Sequence, residues 1–432
     1  MKRILSLIFA VIMVLSLCGC DRLDNLKNVE IPPLRDPAAE EEVQETPAPS
    51  SLPEEKSAPA NHVIVSIAPH KEEYFDPQNG TKLILTFSYE TPAVYIEGRD
   101  EASGAVNEYI ALLDETYCTG NDYGAGTADG LNAMLEMATD NYSYIVETGA
   151  EDVPMEFASN RSVRVSRADS RILSLVYSDY SYTGGAHGNS VERAYIFDAQ
   201  TGERLTLETL GENYEGLCDF LTEYMLELFE ADSDGYYSEK IEEGFVDDND
   251  YEKAFRGLLR DGSWYLDDNG MVIFSDVYEL GSFAAGETEF RIPYSKLQEF
   301  FLESRMPLPR SGSGSFSLKG REEIEDGSAE VIDRVVADEE GQDFWLQLDG
   351  IAYNVSISRI EYVDKLYRTA QLWNCSYMED CLLQLRAGIP EGMPNLLLSY
   401  EDGDGNIQEF VLTQSGEDGS LILSSPDIEA VG

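Results

Sequence analysis

The spacing of apolar residues alternates along this chain between two periods, and this limits the folds open to it. Val63, Val65 and Ile67 occupy alternate positions, as in a strand with one buried face, whereas Val106 and Ile110 are one helical turn apart. After about residue 316 the strand patterns continue without a convincing long helix. We therefore predict an α+β fold: two adjoining α+β domains with antiparallel sheets and packed helices, followed by a small, mostly-β C-terminal domain.

Shifts in composition indicate where these units begin and end. Residues 21–60 are rich in Pro and Glu and have no apolar period, which predicts a disordered tether. Two prolines and a Ser/Gly run near residue 310 predict a short linker. The predicted units are a signal peptide over 1–20, the tether over 21–60, α+β domains over 61–185 and 186–306, the linker over 307–315 and the β-rich domain over 316–432.

The N-terminus has the features of an export signal. Lys2 and Arg3 precede an apolar run over 4–17 that is short for a membrane span, and Cys20 follows a small residue. This pattern resembles a lipobox, in which the cysteine thiol is acylated with diacylglycerol. We expect lipidation of Cys20 and attachment to the membrane through that lipid, with the rest of the protein on the outer face of the cytoplasmic membrane. An uncleaved N-terminal anchor is the alternative.

The excess of acidic over basic residues limits the kinds of molecule that the protein can bind. The chain has 82 acidic and 30 basic residues, and its net charge is -52. Such a surface repels nucleic acid, so we expect no nucleic-acid partner. It attracts cationic proteins, although the acidity alone also serves to keep an exported protein soluble.

Four cysteines lie beyond the signal, and two of them are close in sequence. Cys375 and Cys381 are separated by five residues, so a disulfide across a tight loop is an option for an exported chain. Two cysteines without nearby histidine make a poor zinc site. We expect no metal site and no cofactor.

The segment 182–189, Tyr-Thr-Gly-Gly-Ala-His-Gly-Asn, is the most distinctive local motif. A neutral imidazole at His187 suits a general base or a metal ligand, but no nucleophile motif accompanies it. Alternatively, the glycines adopt a tight turn that His187 and Asn189 close with hydrogen bonds. The candidate ligand-binding residues are Tyr182, His187, Asn189 and Tyr278, and no catalytic residue is predicted. Among the 82 carboxylates, no pair stands out as a catalytic pair.

This motif and a later Ala-Ala-Gly block over 284–286 resemble the junction of two extracytoplasmic domains in RsiV-like anti-sigma factors, which sense lysozyme. The first domain also resembles the N-terminal domain of PdaC-type peptidoglycan deacetylases, notably in Lys-Leu-Ile-Leu-Thr-Phe-Ser-Tyr over 82–89. The similarity covers about residues 62–303. It implies binding of a lysozyme-like cationic protein or of cell-wall glycan (peptidoglycan).

The chain lacks features that these two families use for their activities, so we expect a different function. With a lipid signal and no cytoplasmic part, we expect no binding of a sigma factor. Residues 316–432 contain no histidine, so the metal chemistry of the deacetylases is not expected there. We expect a non-catalytic surface lipoprotein whose RsiV-like region binds an extracellular ligand. The alternative is a cell-wall glycan hydrolase or another envelope enzyme with a carboxylate-based site.

Overall fold

The protein is described by a computed structural model over residues 62–120, 130–150, 156–242, 244–320, 324, 329–363, 366–390, 394–414 and 421–426. The predicted signal peptide, Cys20 and the tether lie outside the described residues. Among the residues described, no helix combines the length and apolar character needed to cross a membrane.

The structure confirms the predicted α+β fold with a β-rich C-terminal region. The helices are α1 Asp100–Thr119, α2 Leu131–Thr148, α3 Leu207–Leu210, α4 Tyr214–Ala231, α5 Tyr236–Lys240, α6 Tyr251–Gly257 and α7 Tyr294–Leu297. The strands are β1 Val63–Phe75, β2 Leu83–Ile96, β3 Phe157–Ala168, β4 Ile172–Tyr182, β5 Asn189–Asp198, β6 Arg204–Leu205, β7 Trp264–Leu266, β8 Gly270–Phe274, β9 Glu289–Pro293, β10 Gly314–Lys319, β11 Val331–Val336, β12 Gln342–Val363, β13 Leu366–Glu379, β14 Leu382–Ala387, β15 Leu396–Glu401, β16 Ile407–Gln414 and β17 Leu421–Ser424.

The largest sheet runs through both ends of the described chain. Its strand order is β17-β16-β15-β12-β13-β1-β2-β3-β4-β5-β6. The pair β2–β3 is parallel, because α1 and α2 form the crossover between them, whereas its neighbours β1–β2 and β3–β4 are antiparallel. Where β1 meets β13, Val65 is opposite Asn374, so the C-terminal strands extend the N-terminal sheet.

Strand β4 is buried on both faces, because it is covered by a different layer on each side. Leu173 and Leu175 pack in the core beneath α1, whereas Ile172 and Val176 pack in the core shared with α4. That second core also contains the small sheet β7-β8-β9. The N-terminal sheet is therefore the middle layer between two helical layers.

The C-terminal strands form their own core around Trp373. The 22-residue strand β12 serves two sheets: its first half pairs with β10 and β14, and its second half with β13 and β15. This double pairing explains why the region needs no long helix to cover its apolar face.

Some sequence-based predictions differ from the structure. Residues 144–147 have a strand-like sequence but belong to α2, since Ile145, Met134 and Ala138 lie buried at helical spacing. Residues 294–301 have the apolar spacing of a helix that closes the domain, but the α-helix there is limited to α7. The domain boundary after residue 185 stays a prediction; it falls in the loop between β4 and β5, which pair from Ser181 opposite Asn189 onward.

The disulfide that the sequence left as an option between Cys375 and Cys381 is not present in the structure. Cys375 and Cys381 are both free, buried thiols. Cys375 lies within β13 and its Sγ donates to the carbonyl oxygen of Tyr377 at 3.2 Å. Burial raises the pKa of both thiols, to about 12 for Cys375 and about 11 for Cys381.

Candidate functional site

Two loops that are far apart in sequence meet on the surface of the protein. The β4–β5 loop, residues 183–188, carries His187, and the β8–β9 loop, residues 275–288, carries Tyr278. The Tyr278 hydroxyl lies 2.9 Å from Nε2 of His187. Two of the four candidate residues, which are 91 residues apart in sequence, are therefore in contact.

The second hydrogen bond of His187 determines which ring nitrogen carries the proton. Nδ1 lies 2.8 Å from the carbonyl oxygen of Gly188, which can only accept. In the neutral imidazole Nδ1 therefore donates, and Nε2 accepts from the Tyr278 hydroxyl. The hydrogen bond between the two loops therefore has the Tyr278 hydroxyl as its donor and Nε2 of His187 as its acceptor.

A third ring completes the contact. Phe283, from the same loop as Tyr278, stacks on His187 with ring centroids 3.7 Å apart and an interplanar angle of 11°. Its centroid lies 6.0 Å from that of Tyr278. Tyr278 remains 50% exposed, so the three rings present an aromatic surface to solvent.

Tyr180 extends this surface from β4. Its ring lies directly over Gly188, where a Cβ would overlap the ring atoms, so a side chain at that position would displace the Tyr180 ring. Tyr180 is 40% exposed. We call Tyr180, His187, Tyr278 and Phe283 the aromatic cluster.

The β8–β9 loop is held in place by bonds at several points. Ser275 and Thr288 close its base, with the Ser275 amide donating to the Thr288 carbonyl at 2.9 Å. Nζ of Lys240 donates to the carbonyl of Ala285 at 2.6 Å. The loop is therefore tied both to its own base and to the end of α5.

Ion pairs fix the same loop beside Tyr278. The Asp276 carboxylate accepts from Arg193 of β5 at 3.0 Å, and Glu279 accepts two bonds from Arg260, at 2.5 and 2.8 Å. Tyr278 itself adopts a left-handed backbone with φ of 69°. This conformation is unfavourable for a residue with a bulky side chain, so the backbone of Tyr278 is strained.

The carboxylate of Glu287 has a different environment. It makes no hydrogen bond or ion pair with the described residues. Burial, together with the carboxylates of Glu192, Asp276 and Glu289, raises the pKa of Glu287 to about 7, although Lys240 opposes this. The loop that carries Tyr278 therefore also carries a carboxyl group that no described cation contacts at ion-pair distance.

The other two candidate residues lie beside the cluster but do not contact it through their polar atoms. The Tyr182 hydroxyl donates to the Gly185 carbonyl at 3.2 Å, which closes the β4–β5 loop on itself. Asn189 begins β5, opposite Ser181. His187 bonds to the adjacent Gly188, which is one part of the loop-closing alternative, whereas a closing bond from Asn189 stays a prediction.

Sequence reasoning missed the role of two residues. In sequence, an isolated aromatic residue such as Phe283 more often belongs to the core, and nothing singles out Tyr180. The available signal for Tyr180 was its position at the polar end of β4, two residues before Tyr182. For metal binding, no cluster of three or more His, Cys, Asp or Glu side chains with suitable placement occurs in the described part of the chain.

The two loops belong to segments that match two different protein families. Residues 80–190 match the family described as "Deacetylase PdaC", and residues 213–295 match "Protein of unknown function (DUF3298)". The β4–β5 loop lies in the first segment and the β8–β9 loop in the second. An RsiV-like relationship stays a prediction. No sequence among the curated proteins matches the chain.

Two crystal structures of DUF3298 family members are similar to this protein. The protein from Bacteroides fragilis NCTC 9343 is 17% identical, with 56% of this chain and 94% of that chain covered and a TM-score of 0.41. The protein from Pseudomonas aeruginosa PAO1 is 15% identical, with 56% and 97% covered and a TM-score of 0.38. From the two family matches and the contact between the loops, the class is an α+β protein in which a PdaC-like and a DUF3298-like segment meet at an aromatic surface.

Proposed function

We propose that this protein is a non-catalytic surface lipoprotein whose aromatic cluster binds an extracellular ligand. The observation that carries the proposal is the His187–Tyr278 hydrogen bond, which joins the two loops while leaving their rings exposed. Exposed tyrosine rings on a rigid support are common anchors of protein interfaces. The strained backbone of Tyr278 supports this, because strain of this kind concentrates at functional sites.

A cationic protein resembling lysozyme is the ligand class that the charges favour. The chain has a net charge of -52, which accelerates encounter with a basic protein. Glu287, on the loop of Tyr278 and Phe283, offers a carboxyl group that forms no ion pair within the described part of the chain. A basic side chain of the ligand would neutralise it, and the exposed rings of the same loop also attract cations.

The test is a binding measurement with the full-length protein and immobilised lysozyme over a series of salt concentrations. We expect binding that weakens as salt rises, because surface charges are screened above physiological ionic strength. The variants His187→Ala and Tyr278→Ala should bind at least about tenfold more weakly. Tyr144→Ala is the matched control, since Tyr144 is equally exposed but lies on α2.

Two other outcomes would redirect the proposal. If lysozyme does not bind, whereas purified cell-wall glycan binds and the same two variants lose that binding, the ligand is a glycan. Release of reducing ends or acetate from cell walls by the protein would contradict the non-catalytic role and support an envelope enzyme.

The location is proposed on separate grounds. We propose that Cys20 is lipidated and that the folded part faces outward from the cytoplasmic membrane, as the lipobox-like segment suggests. Mass spectrometry of the native protein tests this: the expected N-terminus is a diacylglycerol-modified Cys20. A Cys20→Ser variant should lose the lipid. An unprocessed N-terminus retained in the cell would contradict the proposal.

A further inference from the structure

Three separate parts of the chain meet at a buried pair of carboxylates. Asp268 lies in the turn between β7 and β8, Glu401 ends β15, and Arg310 lies in the segment that precedes β10. Nη2 of Arg310 is 2.5 Å from Asp268 Oδ1, and Nη1 is 2.6 Å from Glu401 Oε2. One guanidinium group therefore holds both carboxylates.

An asparagine side chain bridges the same two groups. Nδ2 of Asn354, from β12, donates to Asp268 Oδ2 at 2.9 Å and to Glu401 Oε1 at 3.2 Å. Its Oδ1 accepts from Nδ2 of the buried Asn374 at 2.7 Å. Asn374 lies in β13 beside β1, so the network extends from the DUF3298-like segment to the central sheet. We call Asp268, Arg310, Asn354 and Glu401 the carboxylate junction.

The charges in this junction do not balance. The Asp268 side chain is 9% exposed and that of Glu401 13% exposed, and Arg310 is the cation in contact with them. Two buried carboxylates and one guanidinium leave one negative charge uncompensated. A buried charge without compensation is costly, and the usual resolution is to bind a proton.

We propose that Asp268 binds a proton in the closed junction, and that this proton makes the contact between the β7–β8 turn and the C-terminal strands sensitive to pH. The residues that face the pair are Arg310, Asn354 of β12, Asn374 of β13 and, further away, Arg167 of β3. Apart from the pair itself, these neighbours include no titrating carboxylate or histidine. The proposal is independent of the ligand proposed for the aromatic cluster.

The direction of the effect follows from the pKa of Asp268. Burial and the Glu401 carboxylate raise that pKa to about 7, whereas Arg310 and Arg167 lower it. An opened junction exposes the carboxyl to water, where its ordinary pKa is near 4. Between about pH 4 and pH 7 the closed junction therefore binds more protons than the opened one. The closed junction loses stability as pH rises toward 7, and its stability changes little above pH 7.

Hydrogen exchange of the full-length protein between pH 5 and pH 8, corrected for intrinsic rates, measures opening of the junction. We expect the opening equilibrium of residues 267–270 and 307–313 to increase by up to about tenfold per pH unit between pH 5 and 7. In Asp268→Asn the amide replaces the protonated carboxyl, so this dependence should disappear. Glu401→Gln should flatten it as well, which provides a second variant if the first does not fold.

The control is Asp402→Asn, which removes an exposed carboxylate next to Glu401. Asp402 accepts from Asn406 within its own turn, and that hydrogen bond lowers its pKa, away from the tested range. This variant should keep the wild-type dependence. Opening that does not vary with pH in the wild type, or an unchanged slope in both Asp268→Asn and Glu401→Gln, would overturn the proposal.

Discussion

The aromatic cluster and the carboxylate junction both join parts of the chain that are remote in sequence, but they differ in their exposure to water. In the cluster, loop residues meet through a single hydrogen bond and stacked rings, and Tyr278 is half exposed. In the junction, three charged groups and an amide meet with little access to solvent. The first contact leaves surface free for a ligand, whereas the second uses its groups to hold the structure together.

This difference has an energetic consequence. An exposed hydrogen bond contributes little to folding because water replaces it readily, so residues of the cluster can change at modest cost. Removing one member of a buried charged set leaves its partners uncompensated and costs several times more. Substitutions in the two places should therefore separate effects on binding from effects on stability.

The largest effect is expected for Arg310→Ala. It leaves Asp268 and Glu401 facing each other and removes the stacking of Arg310 over the Tyr353 ring, 5.1 Å away. We expect the free energy of unfolding to fall by about 3–5 kcal/mol, measured by urea denaturation at pH 8. Arg256→Ala, at a solvent-exposed pair with Glu215 and Asp219, should change it little. If both variants lowered the free energy of unfolding equally, the distinction between the buried junction and an exposed ion pair would be wrong.

A smaller effect is expected where the cluster depends on close packing. Gly188→Ala places a methyl group within the Tyr180 ring, so the ring and the β4–β5 loop must move. We expect a loss of at most about 1 kcal/mol of stability, because the half-exposed Tyr180 ring can move aside, together with a loss of ligand binding. Gly80→Ala is the control, because a Cβ at that position meets nothing. Unchanged binding in Gly188→Ala would mean that Tyr180 is not part of the binding surface.

Replacing Tyr278 should separate stability from function. Tyr278→Gly and Tyr278→Ala both remove the ring, but only glycine relieves the left-handed backbone at this position. We expect the glycine variant to be about 1 kcal/mol more stable than the alanine variant in thermal or urea denaturation. Both should lose ligand binding equally. A glycine variant that retains full binding would exclude the Tyr278 ring as an anchor.

The smallest effect concerns pH and ligand charge. Because the pKa of Glu287 is raised to about 7, its carboxyl becomes fully charged only above that pH. We expect a cationic ligand to bind a few-fold more tightly at pH 8 than at pH 6, as the carboxylate forms. Glu287→Gln should remove this increase. If isothermal titration shows the same pH dependence in that variant, another group is responsible.

The two sites also differ in how far the sequence could predict them. The strand alternation in Val63, Val65 and Ile67 and the helical spacing of Val106 and Ile110 were predicted correctly, because local burial patterns reflect local structure. His187 and Tyr278 were singled out from their motifs, but their contact is a property of the tertiary fold.

The junction could not be predicted at all. Asp268 follows a strand within an apparently ordinary Asp-Asn-Gly turn, and Glu401 is one of 82 acidic residues. Their proximity depends on β15 pairing with β12 and on the placement of the β7–β8 turn, which no local pattern encodes. The pairing of β1 with β13 was missed for the same reason, since strand partners distant in sequence leave no local signal.

Whether the two loops form one binding surface is tested most directly by mapping which residues a bound ligand protects from hydrogen exchange. Hydrogen exchange of the full-length protein would be compared with and without saturating lysozyme at low salt. We predict slower exchange in residues 183–188 and 276–288 together, with residues 131–148 of α2 unchanged. Protection of only one loop, or of α2 while both loops exchange as before, would contradict the claim.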